Sequence, residues 1–307
     1  MSWQSALACW CVRIGMRPQS AKPELDVALA RKYASRRLWS PRVPKGWRFE
    51  IRDNGEWLSP ATRASATILY LHGGGYYFCS PRSHRAITFG LATRAHASVV
   101  SLDYRLAPEH RFPAALDDSV AAYRRLLADG VPAQSIVIAG DSAGGGLALA
   151  TLLALRDAAD PLPAAAVLFS PWTDLTCAGE SMRFNEGRDP MYHASVFPRV
   201  AAQYLGGADA RDPYASPLFG DFTGLPPLMI HVGDTELLLD DSTRVATKAR
   251  AAGVRVDMQT WRDVPHIFQI WAPFMPEARE SLTRAAAFID AATCAARPHR
   301  PLKTSIV

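Results

Sequence analysis

The chain has no cysteine pair at zinc-finger spacing, no long apolar run, no block of one charge, no low-complexity tract and no internal repeat. Each lack removes a class. Its five cysteines (Cys9, Cys11, Cys79, Cys177 and Cys294) are odd in number and irregularly spaced, so no CxxC or Cys/His metal set is expected. Reduced thiols in a cytoplasmic protein are the default reading. Nothing approaches the roughly 18 continuous apolar residues of a membrane span. The opening MSWQSALACWCVRIG has a short apolar run but no charged leader, so a signal peptide is not expected. The 34 basic residues exceed the 29 acidic ones by only five. Their densest stretches are Arg36, Arg37, Arg42, Lys45 and Arg48, and later Arg297, Arg300 and Lys303. Both read as solvated faces rather than a nucleic-acid footprint, which needs clustering along one element.

What is present is a globular composition, 49% hydrophobic and 21% charged, able to bury a sizeable core. Runs rich in β-branched residues alternate with Ala/Leu-rich or amphipathic segments. Strands are expected at 66–72, 97–104, 135–140, 164–170, 227–233 and 254–261. Helices are expected at 82–96, 113–129, 143–158, 240–252 and about 276–296. Such alternation implies a mostly parallel sheet with helices on both faces. WRFEIRDNGEWLSP (47–60) reads as an antiparallel hairpin turning at Asp53-Asn54-Gly55. Two regions break the rhythm: residues 1–45, helical with no strand after them, and 175–225, irregular around one helix at 194–205. Long insertions in compact α/β folds sit at active sites as lids. A single domain over 1–307 with a cap from about 1–45 and 175–225 is therefore expected.

SIVIAGDSAGGGLALATLLAL puts Gly140-Asp141-Ser142-Ala143-Gly144 between a strand and a helix, the G-x-S-x-G nucleophile elbow in its confirming context. A turn that tight excludes bulky flanks, and the helix N-terminus aims free N–H groups at a developing oxyanion. LYLHGGGYYF (69–78) supplies consecutive glycines after another strand, without phosphate-loop lysine or G-x-G-x-x-G spacing. Their N–H groups, with that of Ala143, suit an oxyanion hole. His72 lies upstream of the serine and is expected to fix the loop rather than act as base.

HGGG upstream of GDSAGG, with DYRLAPEHRFPAAL (103–116) between them, closely resembles the hormone-sensitive-lipase-like esterases, bacterial lipolytic family IV of the α/β-hydrolases. The resemblance covers roughly 65–290. It implies an α/β-hydrolase fold with a helical cap, Gly74 and Gly75 as oxyanion donors beside Ala143, and hydrolysis of short acyl esters without metal or cofactor. It also implies that the DYRLAPE stretch is structural.

Downstream of Ser142 stand His193, His231, His266 and His299. His266, after the last strand in WRDVPHIFQIW, has the order and placement of a general base and matches the family's PHxF-like segment. The acid lies in GDTELLLDDS (233–242). Asp240 and Asp241 suit a helix start and Asp234 a strand-end turn. The resembling family places its acid four residues before such an acidic pair, which is Glu236, though most members carry Asp there. Asp234 remains the rival. The expected catalytic set is Ser142, Glu236 and His266 acting on a small-molecule ester. Tyr76, Tyr77 and Phe197 are candidate substrate contacts, with plain cap packing as the other reading. A lactone, an acetyl ester, or an amide or acyl transfer would use the same triad. A non-catalytic receptor on this scaffold would have lost the histidine. A homodimer stays open.

Overall fold

The computed structural model describes residues 1–35 and 41–295, so Arg36, Arg37, Arg297, Arg300, Lys303 and His299 lie outside the described residues. Three helices come first: α1 (Trp3–Gly15), α2 (Arg17–Ser20) and α3 (Val27–Ser35). The hairpin β1 (Trp47–Arg52) and β2 (Gly55–Pro60) follows, then β3 (Thr67–Leu71), α4 (Arg85–Ala95), β4 (Ser98–Leu102) and α5 (Ala114–Ala128). The central unit is β5 (Ile136–Asp141), α6 (Ala143–Asp157) and β6 (Ala165–Phe169). After it come α7 (Ser181–Phe184), α8 (Val196–Leu205), β7 (Leu228–Gly233), α9 (Leu239–Ala251), β8 (Val256–Trp261) and α10 (Pro276–Ala295).

The strands form one eight-stranded sheet, ordered β1-β2-β4-β3-β5-β6-β7-β8. β1 and β2 are antiparallel, as are β2 and β4; every pairing from β4 to β8 is parallel. The hairpin turns on Asp53-Asn54 alone, with Arg52 paired to Gly55 as the first residue of β2. The expected helix at 82–96 starts later, because Pro81–His84 forms a 3₁₀ turn with reciprocal Ser80 and Ser83 capping.

Strand side chains alternate between two cores, as the period of two requires. Leu69, Leu71, Ile136 and Ile138 pack with α5, α6, α8 and α9; Ile68, Tyr70, Val137 and Ala139 pack with α4 and α10. The central strands are apolar on both faces because helices cover both. Their carboxyl ends therefore share one edge, where loops after β3, β5, β6, β7 and β8 can converge.

Candidate active site

Between Asp141 and Ala143, Ser142 takes φ 53° and ψ −124°. That conformation costs an L-residue on the order of 1–3 kcal/mol and persists only where the surroundings enforce it. Here the Ser142 N–H donates to the Phe169 carbonyl (2.8 Å), and its own carbonyl accepts from Trp172 (2.9 Å) and Gly146 (3.1 Å). A Cβ on Gly140 would lie 2.2 Å from the Gly144 carbonyl oxygen, and one on Gly144 only 2.1 Å from that of Leu71. The spacing of the motif is thus steric. No larger residue fits on either side of the serine.

Asp141 is fully buried beneath this turn. It accepts hydrogen bonds from Tyr70 Oη (2.6 Å), the Gly73 N–H (3.1 Å) and His84 Nε2 (3.2 Å). Burial alone would push its carboxyl up, but the His84 charge and these donors hold it below the ordinary carboxylate value.

The loop after β3 lies against the start of α6. Gly74 sits at φ 114°, where a Cβ would come 2.2 Å from the Phe78 carbonyl oxygen. Its own carbonyl accepts from Tyr77 and Phe78 (both 3.1 Å). None of the described hydrogen bonds uses the N–H of Gly74, Gly75 or Ala143 as donor. His72 Nδ1 donates to the Gly73 carbonyl (2.7 Å), and its ring stacks on Tyr104 at 4.3 Å. Burial pushes His72 down to about 3, so it stays neutral and structural. Tyr104 donates to the His72 carbonyl (2.6 Å), and Ala107 N–H to that of Tyr76 (2.8 Å). The DYRLAPE stretch therefore braces the glycine loop.

The four carboxylates of 233–242 have four different positions. Glu236 is fully buried; its Oε1 accepts from the Gly233 N–H (2.6 Å) and Ser170 Oγ (2.7 Å), and its Oε2 lies 2.5 Å from His266 Nδ1. Asp234 is partly exposed and accepts from the Asp263 N–H (2.8 Å), stitching the turn after β7 to the loop after β8. Asp240 accepts from the Ser181 N–H (2.9 Å), and Asp241 from those of Thr173 (2.6 Å) and Asp174 (2.9 Å). Both aspartates stand in the first turn of α9, but its N-cap is Leu238. The expected first-turn acids are there; the N-cap alternative is not, and their oxygens accept instead from Ser181 in the insertion and from Thr173 and Asp174 just before it.

His266 is buried on the loop after β8, with Nδ1 on Glu236 and Nε2 without a hydrogen-bond partner. Burial lowers its affinity for a proton, but the Glu236 charge and hydrogen bond, helped by Asp189 and Asp141, raise it above the ordinary histidine value. His231 lies inside β7, bonded to Ser281 (2.8 Å) and pushed down to about 3 by burial. His193 pairs with Glu186 (3.3 Å) in the insertion.

Of the aromatic candidates, Tyr76 is buried and stacks on Tyr204 at 3.7 Å, and Tyr77 tilts against Phe78 at 4.8 Å. Phe197 packs edge-on to Trp172 (5.3 Å) and Tyr192 (5.6 Å), and Tyr192 packs edge-on to the His266 ring (5.4 Å). Core contacts account for Tyr76. Tyr192 is the aromatic that touches the histidine. Sequence reasoning missed Ser170, His84 and Asp189. Asp189 bridges the Leu237 N–H (2.9 Å) and those of Met191 (2.7 Å) and Tyr192 (3.0 Å), tying the insertion to the turn of Glu236. None of the three belongs to a spaced motif. Among the described residues no group of three or more His, Cys, Asp and Glu side chains could hold a metal ion.

A mostly parallel sheet with a strained serine at a strand-to-helix turn, and a buried histidine–carboxylate pair on later loops, is the architecture of an α/β-hydrolase. A family with the alpha/beta hydrolase fold matches residues 68–270. An acetyl-hydrolase of Streptomyces hygroscopicus is 48% identical over 238 residues, covering 78% of this chain and 80% of that one. An esterase of Acinetobacter venetianus is 38% identical, covering 76% and 78%. Among solved structures, an esterase of the bacterial hormone-sensitive lipase family superposes with TM-score 0.88 at 40% identity, covering 95% and 99%. EstE5, soaked by p-nitrophenyl butyrate, superposes at 0.89 with 39% identity, covering 96% and 100%. The chain belongs to the α/β-hydrolases, in their hormone-sensitive-lipase-like esterase branch, and is a carboxylic ester hydrolase.

Proposed function

We propose that the protein is a serine carboxylesterase for short acyl esters, with Ser142 as nucleophile, His266 as general base and Glu236 as the acid that orients it. The carrying observation is the 2.5 Å contact between Glu236 Oε2 and His266 Nδ1, which leaves Nε2 unpartnered. A carboxylate on Nδ1 holds the proton there, so Nε2 carries the lone pair that a base needs. In the first step Ser142 Oγ bonds to the ester carbonyl carbon as its proton passes to Nε2. The N–H groups of Gly74, Gly75 and Ala143 receive the oxyanion. Collapse expels the alcohol, which takes the proton from Nε2. Water then repeats the sequence on the acyl-enzyme, releasing the acid and restoring the serine.

A cap formed by α1–α3 and the 175–225 insertion supports the preference for small esters. Arg17 pairs with Glu186 across the two segments (2.7 Å), Tyr192 covers the histidine, and Ser142 is only 8% exposed. An acetyl ester is the second reading, favoured by the acetyl-hydrolase among the relatives. Five free thiols support a cytoplasmic location.

The test is labelling by a fluorophosphonate with peptide mapping, beside rates on p-nitrophenyl esters. Labelling at Ser142, abolished in Ser142→Ala together with on the order of 10⁶ in kcat, is expected. Label on another residue, or near-full activity in Ser142→Ala, would sink the mechanism. A rate maximum above about ten acyl carbons would sink the short-chain reading.

A further inference from the structure

α1 is built inside out. On the side against the protein it buries small residues and one valine, Ser5, Ala8 and Val12. Outward it turns Trp3, Leu7, Trp10 and Ile14, which are 67%, 42%, 57% and 57% exposed. At 100° per residue these four fall within an arc of about 60°. A helix whose apolar stripe served folding would show the reverse. The concentration is local: six of the twelve large apolar side chains exposed among the described residues lie in 1–16. Trp3 also packs edge-on to the exposed Phe274 at 5.4 Å, which widens the face.

We propose that this face docks the protein on the surface of a phospholipid bilayer carrying anionic headgroups. Two outward indoles beside Leu and Ile suit the boundary between acyl chains and headgroups, where an amphipathic ring is favoured. Residues 1–23 hold Arg13, Arg17 and Lys22 and no acidic residue. Glu186 neutralises Arg17, but no described ion pair involves Arg13 or Lys22. That charge complements an anionic surface and opposes a second copy, whose own basic segment would meet it. A helix of 13 residues is ~20 Å long and ~10 Å wide, so its stripe offers roughly 200 Å², well short of the ~800 Å² per partner of a stable dimer. Nor is it long and apolar enough to cross a membrane.

The position gives the docking a consequence. Ser5 Oγ donates to the Asp263 carbonyl (2.6 Å), three residues before His266. Arg17 donates to the carbonyls of Asp189 (2.8 Å) and Tyr192, the residue over the histidine. A bilayer on the outer face of α1 would sit against the segments that cover the site, and would present lipophilic esters there.

The test is co-sedimentation of the full chain with sucrose-loaded vesicles of phosphatidylcholine alone, or of phosphatidylcholine with phosphatidylglycerol. Capture by the anionic vesicles is expected, weakening with salt and with a blue shift of tryptophan emission. The double variant Trp3→Ser/Trp10→Ser should lower partitioning at least about tenfold, with unchanged melting and unchanged hydrolysis of soluble p-nitrophenyl acetate. No capture, equal capture by both vesicle types, or capture retained in the double variant would overturn the proposal. So would a concentration-dependent dimer in gel filtration that the double variant abolishes while vesicles bind nothing.

Discussion

Among the described residues two histidine–carboxylate pairs are fully buried, His266–Glu236 and His84–Asp141, and they differ at one atom. In His266–Glu236 the contact is 2.5 Å and the far imidazole nitrogen has no partner. In His84–Asp141 the contact is 3.2 Å, and the far nitrogen Nδ1 meets Ser83 Oγ at 2.9 Å and the Ser80 carbonyl at 3.3 Å. Burial lowers both histidines and the adjacent carboxylate more than restores them, so both end above the ordinary value. Burial, a carboxylate neighbour and a raised pKa therefore do not single out a base. An imidazole nitrogen left open does so only together with them, since Nε2 of His72 and of His231 is unpartnered as well, but neither of those rings bonds a carboxylate and burial pushes both down. Asp141 spends its remaining oxygen on Tyr70 and Gly73, which makes its pair a bracket for the glycine loop.

The largest test compares the histidines directly. His266→Ala should lower kcat by on the order of 10⁵–10⁶, as for other members of a catalytic unit, and, because it leaves the buried Glu236 carboxylate unpaired, should also cost about 3–5 kcal/mol of stability. His84→Ala leaves Asp141 as a buried, unpaired charge and should cost about 3–5 kcal/mol of stability. In the fraction that folds, kcat should fall by only about tenfold to a hundredfold, through the loosened Gly73 loop. Urea unfolding beside kinetics on folded protein separates the two. Comparable loss of kcat in folded His84→Ala would break the comparison.

A smaller effect separates the two acids near His266. Glu236→Gln should cost up to about 10⁴ in kcat, since the amide cannot hold the imidazole in the same tautomer or balance its charge. Asp234→Asn keeps an acceptor for the Asp263 N–H and should cost less than about tenfold. The pH profile adds a sign. His266 works as a base only when neutral, so activity is present above its pKa and lost as pH falls through it. Because Glu236 raises that pKa, the acidic limb of kcat/KM should lie above about 6.5. In Glu236→Gln it should move down. A limb that stays put would leave Glu236 without influence on the base.

Much of the fold was legible because its signals are local. The six strands of β-branched residues and the helices between them appear where their periodicity put them, within a residue or two except at α4, where a proline-led 3₁₀ turn takes the first three expected positions. The elbow motif was legible because steric exclusion demands glycine at Gly140 and Gly144. What could not be read depends on pairs distant in sequence. His84 and Asp141 stand 57 residues apart with no spacing rule to join them. Ser170 is an ordinary serine at a strand end until β7 brings Glu236 beside it. Asp240 and Asp241 were legible as first-turn acids because the helix start is visible in sequence, whereas the N–H groups of Ser181, Thr173 and Asp174 that they accept from are not. The stripe of α1 follows from its period, but only packing decides which side of a helix faces out.

The finest test removes the same group from both pairs. Ser170 Oγ donates to Glu236 at 2.7 Å, and Tyr70 Oη donates to Asp141 at 2.6 Å. Each is one hydroxyl on one buried carboxylate, worth about 1–3 kcal/mol to the charged form. In Ser170→Ala the Glu236 carboxylate keeps the Gly233 N–H and His266, so its charge is balanced by fewer donors and bears more on the imidazole. The acidic limb should therefore shift upward by a few tenths of a pH unit, while kcat well above it falls only about two- to fivefold. Tyr70→Phe should lower stability by a similar 1–2 kcal/mol and leave the limb where it was, because Asp141 remains ionised and paired to His84. A limb that moved equally in both variants would mean that the two pairs act on His266 as one charge cluster, and the open nitrogen would no longer be what distinguishes them.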